Sequence, residues 1–246
     1  MSKKISVIVP VYNAEKTLKE LIARVVSVIE EQYIYEIILV NDHSLDSSLQ
    51  LIETMIEANK CIYGVNLKQN QGQQRATFIG MTHATGDYIV LIDDDLENNP
   101  EDIPLLIEEI EKGYEVVYAI NKSNCSKSNL RTLGSKLRDM IFRMLTSIPK
   151  NIKVCSFRIL TKELNEEIIK SKVKLIYISM EILKRTSNIG NIKVKYNSNI
   201  DSNYSVSSLI RLYVMIIINY TWLSRFYNKE HEKTQYEMVG EKLCEE

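Results

Sequence analysis

Residues 88–96 read YIVLIDDDL. Five β-favouring apolar residues, Tyr88, Ile89, Val90, Leu91 and Ile92, run without alternation into three consecutive carboxylates, Asp93, Asp94 and Asp95. A short, unalternating apolar run is the signature of a strand buried on both faces. Three like charges at its end repel one another, a poor arrangement unless a cation or polar ligand is received there. Side chains alternate along a strand, so the spacing predicts Asp93 and Asp95 on one side and Asp94 on the other. Two carboxylates on one face suit a hard divalent cation, such as Mg²⁺ or Mn²⁺, or a ribose. The plainer reading is a solvated acidic turn ahead of Pro100.

The segments upstream favour the ligand-binding reading. Residues 5–11 form a strand pattern that ends at Pro10, Tyr12 and Asn13. Leu18, Leu21, Ile22, Val25, Val26 and Ile29 follow at helical spacing. A second strand pattern, residues 36–40, runs into Asn41, Asp42, His43 and Ser44; Ser44 is placed to cap a helix with the stripe Leu45, Leu49, Ile52 and Ile56. Residues 62–67 give a third strand, residues 70–72 a turn and residues 73–84 a helix, which Gly86 ends. Strands alternating with amphipathic helices predict an α/β unit with a mainly parallel sheet. Ligands of such sheets bind outside the carboxyl ends of the strands. Three of those ends carry unusual chemistry, at residues 10–13, 41–44 and 93–95, and parallel strands bring them to one rim.

Beyond Pro100 the pattern predicts a helix over 103–111, a strand over 115–120, a polar loop over 121–129 and a basic helix over 130–146. A strand over 154–160, helices over 163–170 and 176–185, and a last strand over 192–196 follow. Residues 205–227 read as a helix with a wide apolar face carrying Trp222 and Tyr220, and the tail from 228 onward as charged and frayed. The chain thus divides into a main domain (1–204), an amphipathic helix (205–228) and a tail (229–246).

The composition narrows the classes. With 246 residues and a formal net charge of −1, the chain is one large domain with no bulk electrostatic case for nucleic acid. Cys61, Cys125, Cys155 and Cys244 show no paired spacing, and His43, His83 and His231 no metal-ligand spacing. These suit a reducing, cytoplasmic setting. The opening MSKKISVIVPVY is strand-like rather than a secretory leader. No segment reaches the roughly 18 uninterrupted apolar residues of a membrane span; residues 212–218 come nearest.

In order along the chain, ISVIVPVYN (5–13), VNDHS (40–44), NQGQQRATFIG (70–80) and GDYIVLIDDD (86–95) resemble the family 2 glycosyltransferases of the GT-A fold, which are Rossmann-like. DLENNPED (95–102), EVVYAIN (115–121), SFRIL (156–160) and SNYSVSSLIRL (202–212) look like the branch that transfers sugars to polyprenyl phosphates. The resemblance implies an inverting transfer from a nucleoside-diphosphate sugar, UDP- or dTDP-linked, with a divalent metal ion. It implies that Pro10, Tyr12 and Asn13 line the base pocket and that Asp42 receives the imide N–H of the base. Gly72 and Arg75 would shape the diphosphate side. Asp93 would meet ribose and metal, Asp95 would be the chief metal ligand, and Glu97 would stand where the branch has a metal-reaching glutamine. Asp94 is left without a firm role beyond the nucleotide pocket.

On the acceptor side the chain departs from the branch. Ser156 replaces an aspartate, Asn121 and Asn197 replace arginines, and Ile200 replaces a glycine. Arg158 remains for an acceptor phosphate, since its planar fork of donors suits that group; Lys127, Arg131, Lys193 and Lys195 are further sources of charge. The implied acceptor is a polyprenyl phosphate at the inner face of the cell membrane, with a surface glycan as second choice. The apolar helix would then lie at the membrane surface or form a homodimer contact. The departures also admit a non-catalytic nucleotide-sugar-binding protein. A nucleotidyltransferase is disfavoured, because no Gly-rich loop with a basic residue follows the first strand.

Overall fold

The computed structural model describes residues 3–122, 146, 152–171, 176–197 and 235–240. The basic helix expected over 130–146, apart from Thr146, and the apolar helix expected over 205–227 lie outside these residues, as do Lys127 and Arg131. The strands are β1 (Lys4–Val11), β2 (Ile34–Asn41), β3 (Ile62–Leu67), β4 (Tyr88–Leu91), β5 (Val116–Asn121), β6 (Arg158–Thr161), β7 (Ile189–Val194) and β8 (Tyr236–Val239). The helices are α1 (Leu18–Ile29), α2 (Ser48–Ala58), α3 (Gln73–His83), α4 (Ile103–Ile110), α5 (Lys162–Ile169) and α6 (Ile178–Arg185).

One sheet contains all eight strands in the order β7-β5-β6-β4-β1-β2-β3-β8. β4, β1, β2 and β3 are mutually parallel. β6 runs antiparallel to both β4 and β5, and β8 antiparallel to β3, so the sheet is parallel at its centre and mixed overall. Each central strand is buried on both faces, as its unalternating sequence requires. Along β1, Ile8 packs with α3, α5 and α6, whereas Val7 and Val9 pack with α1, α2 and α4. The same division holds along β2, where Ile38 and Val40 oppose Ile37 and Leu39. The product is a three-layer α/β/α unit.

Four details differ from the sequence expectation. Leu45 precedes α2 and is 81% exposed, so it is no part of that helix's buried stripe. Ser44 does not cap α2; Ser47 holds the cap position, and the Ser44 hydroxyl accepts from the backbone N–H of Asn13 at 3.0 Å. Four tail residues form β8 rather than a frayed end, registered from Gly64↔Val239 to Leu67↔Tyr236. Finally, β4 ends at Leu91, so Asp93–Asp95 lie beyond the strand, with Asp94 and Asp95 in a turn. β4 pairs with β1 only from Ile5↔Tyr88 to Ile8↔Leu91 and with β6 only from Tyr88↔Thr161 to Leu91↔Arg158, which fixes its length.

At the opposite end of the strands a polar knot ties the layers. Glu36 is 1% exposed. Its carboxylate accepts from Ser6 Oγ (2.7 Å) and Thr85 N (2.7 Å) and pairs with Lys4 Nζ (3.1 Å). Ser6 Oγ in turn accepts from Gly86 N at 2.8 Å. A Cβ on Gly86 would sit 2.7 Å from Ser6 N, so the β1–β4 approach requires glycine there.

Candidate active site

The sequential strands β3, β2, β1 and β4 lie side by side, and the direction of winding reverses between β1 and β4. In open α/β sheets such a switch point opens a crevice at the carboxyl ends. All three strand ends singled out in the sequence meet there. Each is followed by one of the three non-glycine residues with positive φ among the described residues: Asn13 (φ 53°), His43 (φ 59°) and Leu96 (φ 58°). Strained backbone of this kind clusters at ligand sites.

The first two ends are stitched together. Leu45 N donates to Asn13 Oδ1 at 2.8 Å, Ala14 N to Ser48 Oγ at 2.8 Å and Ser47 N to Glu15 Oε2 at 3.1 Å. This leaves the Tyr12 ring, 47% exposed, displayed at the rim beyond Pro10. Asp42 is 2% exposed and holds the loop before α3: Oδ1 accepts from Gln71 N at 2.6 Å and Oδ2 from Gly72 N at 2.8 Å. Burial raises its pKa against the pull of those two N–H groups. Thus Asp42 has a loop-holding duty that its sequence context did not reveal. Gly72, at φ 82° and ψ 151°, occupies a region open essentially to glycine alone. Arg75 lies one turn into α3, over the Phe78 ring at 5.5 Å, and burial lowers its pKa.

The acidic turn sits opposite. Asp94 Oδ2 accepts from Tyr12 N at 2.9 Å, directly across the switch point. Asp93 Oδ1 accepts from Gln73 Nε2 at 2.7 Å, and the Ser156 hydroxyl donates to the same carboxylate. Asp95 Oδ1 accepts from Glu97 N at 2.9 Å, closing the turn. Burial pushes Asp93 up to about 6; the Ser156 hydrogen bond opposes this, the charge of Asp95 adds to it and Arg158 counters it. Asp94 is pushed up to about 7, chiefly by burial, then by Asp93 and Asp95, against the Tyr12 N–H.

This donor set suits a hard cation: oxygen ligands whose mutual repulsion a positive ion would relieve. The three expected ligands Asp93, Asp95 and Glu97 do not converge into a complete cage, and no group of three such side chains does among the described residues. Mg²⁺ commonly takes one or two carboxylates and fills its shell with substrate phosphate and water.

Arg158 begins β6, beneath the acidic turn. It is 3% exposed, its Nη1 donates to Ser179 Oγ at 2.7 Å, and its guanidinium lies 5.7 Å from the Tyr118 ring centre. It acts on the turn through its charge near Asp93 and does not present an open fork. Lys193 and Lys195 are exposed on and just beyond β7. Gln73 and Ser156, both bonded to Asp93, were missed as site residues. Gln73 stands in a quoted motif, and the helix start beside a predicted turn was the available signal. Ser156 was singled out only as the replacement of an acceptor-side aspartate, not as a partner of Asp93.

Residues 6–169 match the model described as Glycosyl transferase family 2. An undecaprenyl-phosphate 4-deoxy-4-formamido-L-arabinose transferase of Serratia proteamaculans (strain 568) is 31% identical over 215 residues, covering 85% of this chain and 65% of that protein. The protein of the same description from Salmonella choleraesuis (strain SC-B67) is 37% identical over 146 residues, 58% of this chain and 44% of that protein. The chain therefore spans less than two thirds of the length of these relatives. Among solved structures, glucosyl-3-phosphoglycerate synthase from Mycobacterium tuberculosis in complex with Mn²⁺ and UDP-glucose superposes with a TM-score of 0.60 at 17% identity, over 93% of this chain and 80% of that one. S. aureus TarS superposes with a TM-score of 0.57 at 19% identity, over 90% of this chain and 41% of that one. At such identities the likeness is one of fold, and the fold is the expected GT-A type.

Proposed function

Because this chain belongs to the family 2 glycosyltransferases, we propose that it transfers a sugar, with inversion, from a UDP- or dTDP-linked donor to a polyprenyl phosphate. The observation that carries this reading is the acidic turn at the switch point, with Asp94 bonded to Tyr12 N and Asp93 and Asp95 beside it. The curated relatives, named for undecaprenyl-phosphate transfer, support the acceptor class.

In this reading the Tyr12 ring stacks on the base, a contact worth roughly 1–3 kcal/mol in nucleic-acid systems. Pro10 and Asn13 complete that wall, and Asp42 receives the imide N–H. Gly72 and Arg75 border the diphosphate. Asp95 and Asp93 hold Mg²⁺ or Mn²⁺, with Glu97 as a further oxygen donor. The ion, when bound, neutralises charge developing on the departing nucleoside diphosphate. A phosphate acceptor arrives as an anion, so in-line attack on the anomeric carbon requires alignment but no general base. Arg158, enclosed under the turn, contributes positive potential to that anionic site. The acceptor places the reaction at the inner face of the cell membrane. No helix among the described residues is long and apolar enough to cross it. Residues 205–228 are the segment we assign to the lipid surface, or to a contact between two copies of the chain.

A thermal-shift screen of UDP- and dTDP-sugars with and without Mn²⁺ tests donor and metal together, because a ligand of the folded state alone raises the melting temperature. Turnover with polyprenyl phosphate, lost in Asp95→Ala, is the expected result. Tight nucleotide binding without turnover on any lipid-phosphate acceptor would overturn the catalytic reading. For the membrane, polar substitutions within 205–228 should abolish pelleting with anionic liposomes; unchanged pelleting would sink that assignment.

A further inference from the structure

The acidic turn is held by residues about 100 positions further along the chain. Three hydrogen bonds join it to the segment after β7. Asn197 Nδ2 donates to Leu96 O at 2.9 Å, Asn197 N donates to Glu97 O at 3.0 Å, and Asn99 Nδ2 donates to Lys195 O at 2.7 Å. That segment is itself fixed to β5, through Tyr196 OH to Ala119 O at 2.6 Å and Lys122 N to Val194 O at 2.7 Å. The two carbonyls gripped by Asn197 belong to consecutive peptides, Leu96–Glu97 and Glu97–Asn98. Leu96 is at φ 58°, a conformation that branched L side chains avoid. Inside the turn, Glu97 N closes onto Asp95 Oδ1 at 2.9 Å. The local sequence therefore disfavours the turn, and contacts from outside maintain it.

We propose that Asn197 is a positioning residue of the metal and diphosphate site: its carboxamide and backbone N–H hold residues 95–97 in the shape that presents Asp95 and Glu97 to the ion. The inference rests on the reading of the acidic turn as the ion-binding loop. Its logic is preorganisation: a turn already held in its liganded shape spares the ion the cost of ordering it. In the sequence Asn197 marked only a lost arginine. In the structure its short carboxamide serves the loop, a duty that charge does not supply.

The test uses Asn197→Leu and Asn197→Ala, both uncharged, both without the side-chain donor and both retaining the backbone N–H. The Mn²⁺ concentration for half-maximal thermal stabilisation is measured at fixed UDP, beside UDP binding and melting without metal. Loss of one exposed hydrogen bond predicts a rise of about fivefold in that concentration for both variants. UDP binding without metal should stay within about twofold, since the bond removed acts on the metal side alone. A Mn²⁺ requirement unchanged from the parent overturns the proposal while leaving the donor site intact. An equal loss in metal-free UDP binding overturns it by showing a general structural role. A parent protein with no Mn²⁺-dependent stabilisation by UDP overturns the site reading, and this proposal with it.

Discussion

The backbone N–H of Tyr12 donates to Asp94 Oδ2 across 2.9 Å, joining the end of β1 to the turn after β4 where the sheet reverses its winding. The middle carboxylate of the triplet thereby sets the width of the crevice, while its neighbours face Gln73, Ser156 and Glu97.

That arrangement has a pH signature. Asp93 and Asp94 titrate in the folded protein at about 6 and about 7, above the ordinary value of 3.8. Between those values the folded state binds more protons than the unfolded state, so metal-free stability falls as pH rises from about 4 to 7. A divalent cation binds the ionised form, so its stabilising effect grows over the same window. Melting curves across pH with and without Mn²⁺ should diverge as pH rises; parallel curves would refute the assignment.

Asp94→Asn retains an acceptor for Tyr12 N and removes a partly buried charge. Metal-free stability at pH 8 should rise by about 1 kcal/mol, well below the full displacement because solvent screens a partly exposed carboxylate. Urea titration measures it, and a loss of stability would contradict the electrostatic account.

Asp95→Ala should leave folding intact and lower turnover by about 100-fold or more, the scale of losing a principal electrostatic stabiliser of the transition state. Steady-state rates at saturating Mn²⁺ check this, with circular dichroism as the control for folding. A loss of less than about fivefold would move the metal role elsewhere.

Asp42→Asn replaces one of two oxygens, each of which accepts from a backbone N–H, with an NH2 donor. Leaving one buried N–H unsatisfied costs about 1–3 kcal/mol. The loop at residues 70–72 should become more sensitive to protease, and UDP binding should weaken. Wild-type proteolysis rates with weakened UDP binding would assign Asp42 to the base alone.

Glu36→Leu strips Lys4, Ser6, Thr85 and their neighbours of the acceptor they share, and breaking a buried pair in this way costs roughly 3–5 kcal/mol. The knot lies at the end of the strands away from the crevice. Chemical denaturation should therefore show a large loss of stability, while the KM for donor of the folded fraction stays unchanged.

The βα order through residue 95 was legible because each central strand must be apolar on both faces and each helix on one. The rim was legible because parallel strands put their ends together. The turn that holds Asp94 and Asp95 was not: β4 stops where its pairing with Ile8 and Arg158 stops, a length set by partners distant in sequence. The Ser156 contact to Asp93 depends on β6 entering the sheet antiparallel between β4 and β5, although it follows β5 in the chain. Leu45, apolar and in helical register with Leu49, was drawn into a stripe that the stitched loop at Asn13 leaves outside α2.

The strand at Tyr236–Val239 constrains how the protein can be shortened. β8 covers the outer edge of β3, Val239 packs against the cluster that includes Ile52 and Ile56, and Gly240 lies against Ile56. Removing everything after residue 204, the obvious way to discard the apolar segment, would bare the N–H and C=O row of Ile62–Leu67. An open edge of that kind recruits other chains. A truncated protein that clumps would report a missing sheet margin, and would say nothing about lipid.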